Sequence, residues 1–387
     1  MRKIVIASDS FKGSLSSLEV AHAAAAGIKS VYPECEVICL ETADGGEGTA
    51  SALTRALEGH CVKVTVSDPL GRKTEAEYGM TETSGIKTAI MEMSQASGLP
   101  LLKLSERNPL LTSTYGTGEM ILDALGKGCR RFLIGIGGSA TNDGGTGMLE
   151  ALGFRFTDCD GKPVTGLCGG NIHRIAGIDT AMAAKELEES EFIVACDVQT
   201  PFCGPEGAAA VFGPQKGGTP GTVAQLEEGM QHLNRIIIKD FGTDLSKTAG
   251  SGAAGGLGGA FKVFLKAALN KGIDIVLDAI GFDQAIEGAD LIITGEGKTD
   301  SQTSRGKVIS GVTERAVRHG IPTIAIAGIV DVDTDQIRES GLSAVYPIGP
   351  RPQNESDLEY AMRPEVASSN ISKTVATILK SCKIQPK

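Results

Sequence analysis

The chain contains no tryptophan, and aromatic residues make up only 4 % of its 387 positions. Stacking on aromatic faces, the common way of holding single-stranded nucleic acid, is therefore not expected. Positive charge is also short. The 37 Lys and Arg face 47 Asp and Glu, for a formal net charge of −10. Such a chain lacks the broad basic footprint that neutralises DNA or RNA phosphates, so no nucleic-acid partner is expected. A small anion can still be held locally by backbone N–H groups and a few lysines.

Apolar runs are short as well, and none approaches membrane-spanning length, so no membrane partner is expected. The opening MRKIVIASDS has too brief an apolar run for a signal peptide. The nine cysteines are odd in number and form no C-x-x-C pair, which fits reduced thiols in a cytoplasmic protein. The five histidines are scattered without metalloprotease spacing. Two kinase signatures are missing too. Gly295–Thr299 ends in Gly-Lys-Thr, but Ile292 stands where a Walker A glycine belongs, and neither His-Arg-Asp nor Asp-Phe-Gly occurs.

What the chain has is length, glycine and alternation. Its size favours two domains, and its 41 % hydrophobic content allows ample cores. Short apolar runs at Lys3–Ala7, Glu36–Leu40 and Val62–Val66 alternate with helical stretches at Leu18–Ile28 and Thr49–Leu57, the pattern of a parallel βαβ layer. Thr74–Met80 and Lys87–Met93 read as a hairpin around Ser84–Gly85. Arg131–Ile136 and Phe192–Cys196 read as strands, and Gly118–Leu125, Leu226–Ile238 and Phe261–Leu269 as helices. Alternation returns at Asp290–Thr294, Val308–His319, Pro322–Ala327 and Ala344–Ile348. The expected architecture is α/β, with two α/β domains. A Rossmann-like domain is built from both chain ends, 1–66 and 282–387, and a mixed α/β domain, 67–281, is inserted in it. A plain sequential pair of domains is the alternative.

The 51 glycines cluster where such sheets bind ligands, after strand ends. Asp9-Ser10-Phe11-Lys12-Gly13-Ser14, Asp44-Gly45-Gly46-Glu47-Gly48 and Gly295-Glu296-Gly297-Lys298-Thr299-Asp300 each follow an apolar run. Any one of them could be only a turn and a helix cap. Three on one sheet edge, with carboxylates and lysines, favour a site. Gly137-Gly138-Ser139-Ala140-Thr141-Asn142-Asp143-Gly144-Gly145 repeats the theme, and its N–H groups before a helix could cradle an anion. The densest run spans 250–259, with Gly252, Gly255, Gly256 and Gly258 as candidates for a phosphate loop and a hinge as the alternative. Asp197 ends an apolar strand, and Lys216 sits among turn residues. An Asp could take a hydroxyl proton, and a Lys could balance a moving phosphoryl group. Either could also be an ordinary surface residue.

Several segments together resemble the glycerate kinase family of the bacterial glycerate 2-kinase type. They are IASDSFKGSLS (6–16), ADGGEGT (43–49), TYGTGE (114–119), GIGGSATNDGGTGM (135–148), CGPEGAAAVFGPQKG (203–217), GSGAAGGLGGA (250–260) and ADLIITGEGKTDSQT (289–303). Departures are Ser8, where Pro is common in the family, and Val198-Gln199-Thr200, where Thr-Asn is expected before Pro201.

The resemblance implies an ATP- and Mg²⁺-dependent kinase acting on glycerate, with the active cleft between two α/β domains and 2-phosphoglycerate as product. The rivals are a 3-phosphoglycerate-forming kinase and a non-catalytic sugar-acid sensor. A homodimer is compatible with the sequence. In this reading Gly137, Gly138, Ser139, Asn142, Asp143 and the 250–259 loop hold ATP phosphates. Lys12 or Lys216 neutralises the transferred group. Asp44, Glu47, Glu296 and Asp300 are available for Mg²⁺. Asp44 is also placed among the catalytic residues, Asp197 or Asp143 handles the hydroxyl proton, and Asp9, Ser10, Ser14 and Glu47 meet the substrate.

Overall fold

The structure is a computed structural model and describes residues 1–43, 45, 46, 48–299, 308–331, 337 and 339–381. The strands in chain order are β1 (Lys3–Ser8), β2 (Glu36–Glu41), β3 (His60–Ser67), β4 (Lys73–Thr83), β5 (Ile86–Glu92), β6 (Arg131–Gly135), β7 (Arg155–Thr157), β8 (Gly177–Asp179), β9 (Glu191–Ala195), β10 (Ala268–Asn270), β11 (Leu291–Thr299), β12 (Thr323–Val330) and β13 (Ala344–Pro347). The chain forms two compact units, one from Met1–Gly48 with Ile273–Lys387, the other from Thr49–Gly272.

The unit built from both chain ends holds a five-stranded parallel sheet in the order β13-β12-β11-β1-β2. Counted within the unit this is 2-1-3-4-5, the flavodoxin-like winding rather than the six-strand dinucleotide-binding order. The apolar run of β1 explains why both faces must be covered. Ile4 and Ile6 pack into one cluster with the Ser17–Val31 and Pro364–Ser381 helices. Val5 and Ala7 point the other way, toward Phe282, Val308 and Val312. In this order β1 and β11 are neighbours from which the winding departs in opposite directions, and the crevice at their carboxyl ends is where such sheets take ligands.

The inner unit has a six-stranded mixed sheet, β10-β9-β6-β5-β4-β3, over one large apolar core. The hairpin expected around Ser84–Gly85 is there, with Thr83 opposite Ile86. Both loop residues have positive φ, 54° and 80°, as a type I′ turn requires.

Three expectations change. Val62–Val66 is not a third parallel strand of the first sheet. It lies in β3, which pairs antiparallel with β4 at the edge of the second sheet. Its exposed Lys63 and Thr65 alternate with more buried valines, the mark of a strand with one wet face. The chain accordingly crosses into the inner unit after Gly48 and leaves it after Gly272, not at 66/67 and 281/282. Second, the helix expected over Phe261–Leu269 stops at Phe264, and Ala268–Asn270 joins the sheet beside β9. Third, Gly295–Thr299 is not a loop after a strand. β11 continues through it, paired with β12 to Thr299 opposite Val330. Glycine permits this, since a Cβ on Gly328 would stand 2.6 Å from the Gly297 carbonyl oxygen. No described helix is long and apolar enough to cross a membrane.

Candidate functional site

In the unit built from both chain ends, the carboxyl edge of the sheet opens onto a groove of about 1040 Å³. β1 delivers Asp9 to its floor and β11 delivers Glu296 beside it, joined through the Asp9 N–H donating to the Gly295 carbonyl at 2.9 Å. Both carboxylates are nearly buried, at 8 % and 5 % exposure, yet both line the groove. Lys12 and Lys298 reach the same space from exposed positions.

The loop from Asp9 to Leu15 is held by its own backbone. Asp9 Oδ1 accepts the Ser10 N–H at 2.7 Å, Leu15 O accepts from Phe11 N–H, and Phe11 O accepts from Ser14 and Leu15. Behind it, the Ser17 and Thr42 hydroxyls both donate to Ser8 O. Most N–H groups of the loop are thus engaged internally, so it offers the groove the Lys12 and Ser10 side chains rather than an amide nest, while the Ser14 hydroxyl is buried without a protein partner among the described residues. The helix that follows is capped by its own Ser16–Glu19 box, which fills its N-terminus with a carboxylate.

The far wall escaped the sequence reading. It comes from the segment after β13 and the Glu355–Ala361 helix, including Ile348, Arg351, Leu358, Tyr360 and Met362. Asp331 Oδ1 and Oδ2 pair with Arg351 at 2.9 Å and Lys298 at 3.6 Å, bracing this wall against β11.

In the inner unit, the parallel strands also end in chemistry-bearing residues. β6 runs into Gly137 and Gly138, which are exposed, while Ser139 is buried beside Gly98. β9 runs into Asp197, exposed, with Oδ1 accepting from Gly272 N–H at 2.8 Å. β5 ends in Glu92, a carboxylate not anticipated from sequence. It is buried, and its Oε1 accepts the Ala50 N–H at the start of the Thr49–Ala56 helix. The signal that could have found it is a Glu terminating the apolar run Thr88–Met91.

Behind this edge the motif residues go inward. Asp143 is fully buried, and its carboxylate accepts from Thr114 N–H, Thr114 Oγ1–H, Gly145 N–H and Gly147 N–H at 2.7 to 3.3 Å. Burial pushes its pKa up against those donors. Lys216 is 1 % exposed and donates from Nζ to Thr141 O at 2.6 Å. Burial pulls its ammonium down to about 7, opposed by the nearby Asp143 charge. Asn142 is wholly buried, and neither end of its amide has a protein partner.

The 250–259 glycines are also interior. A Cβ at Gly252 would meet Pro201 O at 2.1 Å, at Gly255 Thr141 O at 2.0 Å, at Gly256 Gly144 Cα at 2.7 Å, and at Gly258 Gly250 O at 2.4 Å. The run is a packing surface that lets backbones touch, closed by the Gly144 N–H donating to Gly255 O. The backbone of this run is packed against protein rather than open, and Asp143 and Lys216 hold the 137–145 loop from within. Asp44, Glu47 and Asp300 lie outside the described residues. Among the described residues no three His, Cys, Asp or Glu side chains converge as for a bound metal.

A family model described as the Glycerate kinase family matches residues 4–383. The chain belongs to the glycerate kinase family. It is similar to a Bacillus subtilis glycerate kinase, with 46 % identity covering 90 % of each chain. It is also similar to the glycerate 2-kinase of Escherichia coli K12, 42 % identical over 89 % of this chain and 90 % of that one. A Salmonella typhimurium LT2 chain, solved as a candidate glycerate kinase 2, superposes with a TM-score of 0.86 at 42 % identity, covering 98 % of both chains. Glycerate kinases are phosphotransferases with an alcohol acceptor. Phosphoryl transfer asks a protein for positioning and charge neutralisation more than for covalent chemistry. Paired carboxylates and lysines at a sheet edge can supply both.

Proposed function

We propose that this chain transfers the γ-phosphoryl group of ATP to the 2-hydroxyl of D-glycerate, releasing 2-phosphoglycerate and ADP in the cytoplasm. The observation that carries the reading is the group at the carboxyl edge of the parallel sheet. There Asp9 and Glu296 lie on adjacent segments with Lys12 and Lys298 in one groove, in a chain of a kinase family.

Mg²⁺, implied by kinase chemistry, takes one or two carboxylates with phosphate oxygens and water. Asp9 and Glu296 fit that requirement, being nearly buried yet open on the groove. When bound, the ion supplies charge neutralisation on the phosphates. Lys12 holds the transferred group by its positive charge, the Ser10 hydroxyl is placed to orient a substrate oxygen, and Ser14 keeps its substrate assignment from sequence. Asp197, fixed by the Gly272 N–H, is assigned the proton leaving the glycerate hydroxyl as its oxygen bonds to phosphorus. Asp44 keeps its catalytic and metal assignments from sequence, Glu47 its substrate or metal assignment and Asp300 its metal assignment.

Phosphorus NMR of the purified protein with ATP, Mg²⁺ and D-glycerate tests this. A 2-phosphoglycerate signal is expected. A 3-phosphoglycerate signal would keep the kinase and overturn the position of attack. Folded protein that consumes no ATP above an acceptor-free blank would overturn the activity and leave a sugar-acid sensor.

A further inference from the structure

We infer that the nucleotide is held in the unit built from both chain ends, with its adenine against the wall after β13 and its phosphates running back to β1. The inference rests on the kinase reading only for the identity of the ligand. Its placement comes from the groove.

The first argument is size. A glycerate ion has few heavy atoms and would leave most of a groove of about 1040 Å³ empty. A nucleotide has roughly thirty, in the class of ligands that occupy pockets of about 300–1,000 Å³.

The second is length. The groove is lined from four adjacent strand ends, β1, β11, β12 and β13. Strand spacings of about 4.8 Å give about 14 Å from the first to the last. That suits an extended nucleotide lying along the edge.

The third is the order of chemistry along that line. The β1 and β11 end carries Asp9, Lys12 and Glu296, which suits phosphates and their counter-ion. The β12 and β13 end carries Ile329, Ile348 and Leu358, with Tyr360 on the same helix as Leu358. Its Arg351 is already paired with Asp331, which also meets Lys298 of β11. A wall with these apolar side chains, its cation paired and a further carboxylate at Asp357, accepts a flat heteroaromatic base better than a polyphosphate. The fourth is elimination by packing. The 250–259 glycine run, the densest phosphate-loop candidate in the sequence, is used up against protein backbone.

The experiment has two arms on the intact chain. In the first, ADP binding without acceptor is measured by calorimetry for the wild type, Ile329→Lys and Leu358→Lys. Ile329 is half-buried and Leu358 exposed, so both variants should melt within a few degrees of the wild type. Each is expected to weaken ADP at least tenfold. Unchanged affinity in both would overturn the inference.

In the second arm, unmutated protein is photolabelled with 8-azido-ADP and the modified peptide is sequenced. Label within 348–362, suppressed by excess ADP, is expected. Label within 137–148 or 250–260, or no ADP-protected label at all, would overturn it. Neither arm contains glycerate. A protein that binds ADP here but never phosphorylates glycerate would sink the proposed function and leave this placement standing. Continued turnover with label elsewhere would do the reverse.

Discussion

The two sheets of this protein end in similar sequences and bury them to different extents. At the edge of the flavodoxin-like sheet, Asp9 and Glu296 stop just short of full burial and open on a groove. At the edge of the mixed sheet, Asp143 and Lys216 pass beyond it, into the interior. Asp143 is surrounded by four donors, and Lys216 props the Thr141 carbonyl. Of the candidates named from sequence, Gly137, Gly138 and Asp197 stand exposed at that edge. A carboxylate next to glycines is therefore not yet a ligand site. What decides is whether the neighbouring backbone leaves it a face to solvent.

The contrast can be broken most sharply at Glu296. Glu296→Gln keeps shape and removes charge, and Asp9→Asn does the same on β1. Each is expected to lower kcat/KM by about 10²–10³, with a melting temperature within a few degrees of the wild type. Steady-state kinetics beside thermal melts checks this, and a variant with intact kcat/KM would remove that carboxylate from the site.

The opposite pattern is expected at Asp143. Asp143→Ala strands four buried donors and should cost about 3 kcal/mol or more in urea unfolding. If stability held and only turnover fell, Asp143 would move from the scaffold to the chemistry.

Gly255→Ala tests whether the glycine run is packing. Gly255 has φ of +68°, and its new Cβ would stand 2.0 Å from Thr141 O. A loss of about 2–3 kcal/mol is expected. Preserved stability with a raised KM for ATP would restore the phosphate-loop reading of this run.

Lys216 adds a pH dependence. Its folded pKa of about 7 lies below the unfolded value near 10.5. Between those values the unfolded chain binds more protons, so this group makes stability rise with pH; below about 7 both states are protonated and it contributes no slope. From pH 7 to 8.5 its share is about 1–2 kcal/mol. Lys216→Met should lack that part of the rise, as read from urea unfolding at the two pH values. Parallel curves for the two proteins would mean that Lys216 is not held deprotonated by burial.

The smallest effect is expected at Gly137→Ala, within about 0.5 kcal/mol, because a Cβ there meets nothing within 4 Å. A large loss of stability would show that the open part of this loop is packed after all.

Much of this was legible in the sequence. The apolar run Ile4–Ala7 of β1, the Ser84–Gly85 turn and the alternation near both ends follow from local chemistry, because burial on two faces and positive φ leave direct traces in residue type. The long motif segments were enough to indicate the family. Asp9, Lys12 and Glu296, which line the groove, could be named because they follow or extend apolar strands.

Other features had no local trace. β3 follows a βαβ rhythm, yet it joins the second sheet, because strand pairing is settled by which partner edge is free. Gly295–Thr299 reads as a turn, but β12 holds it as strand. Gly255 and Gly138 look alike in a string of letters. A Cβ on the first would stand 2.0 Å from the Thr141 carbonyl oxygen, more than a hundred positions away, while one on the second would meet only the Ser94 side chain at 3.4 Å. The groove wall around Ile348 and Leu358 reads as an ordinary loop and helix until β13 carries it to the edge that β1 begins. Sequence determined which residue types stand at strand ends, since that depends on local propensity and polarity. Which of those ends remained open was decided only by the tertiary structure, since exposure is a property of distant neighbours.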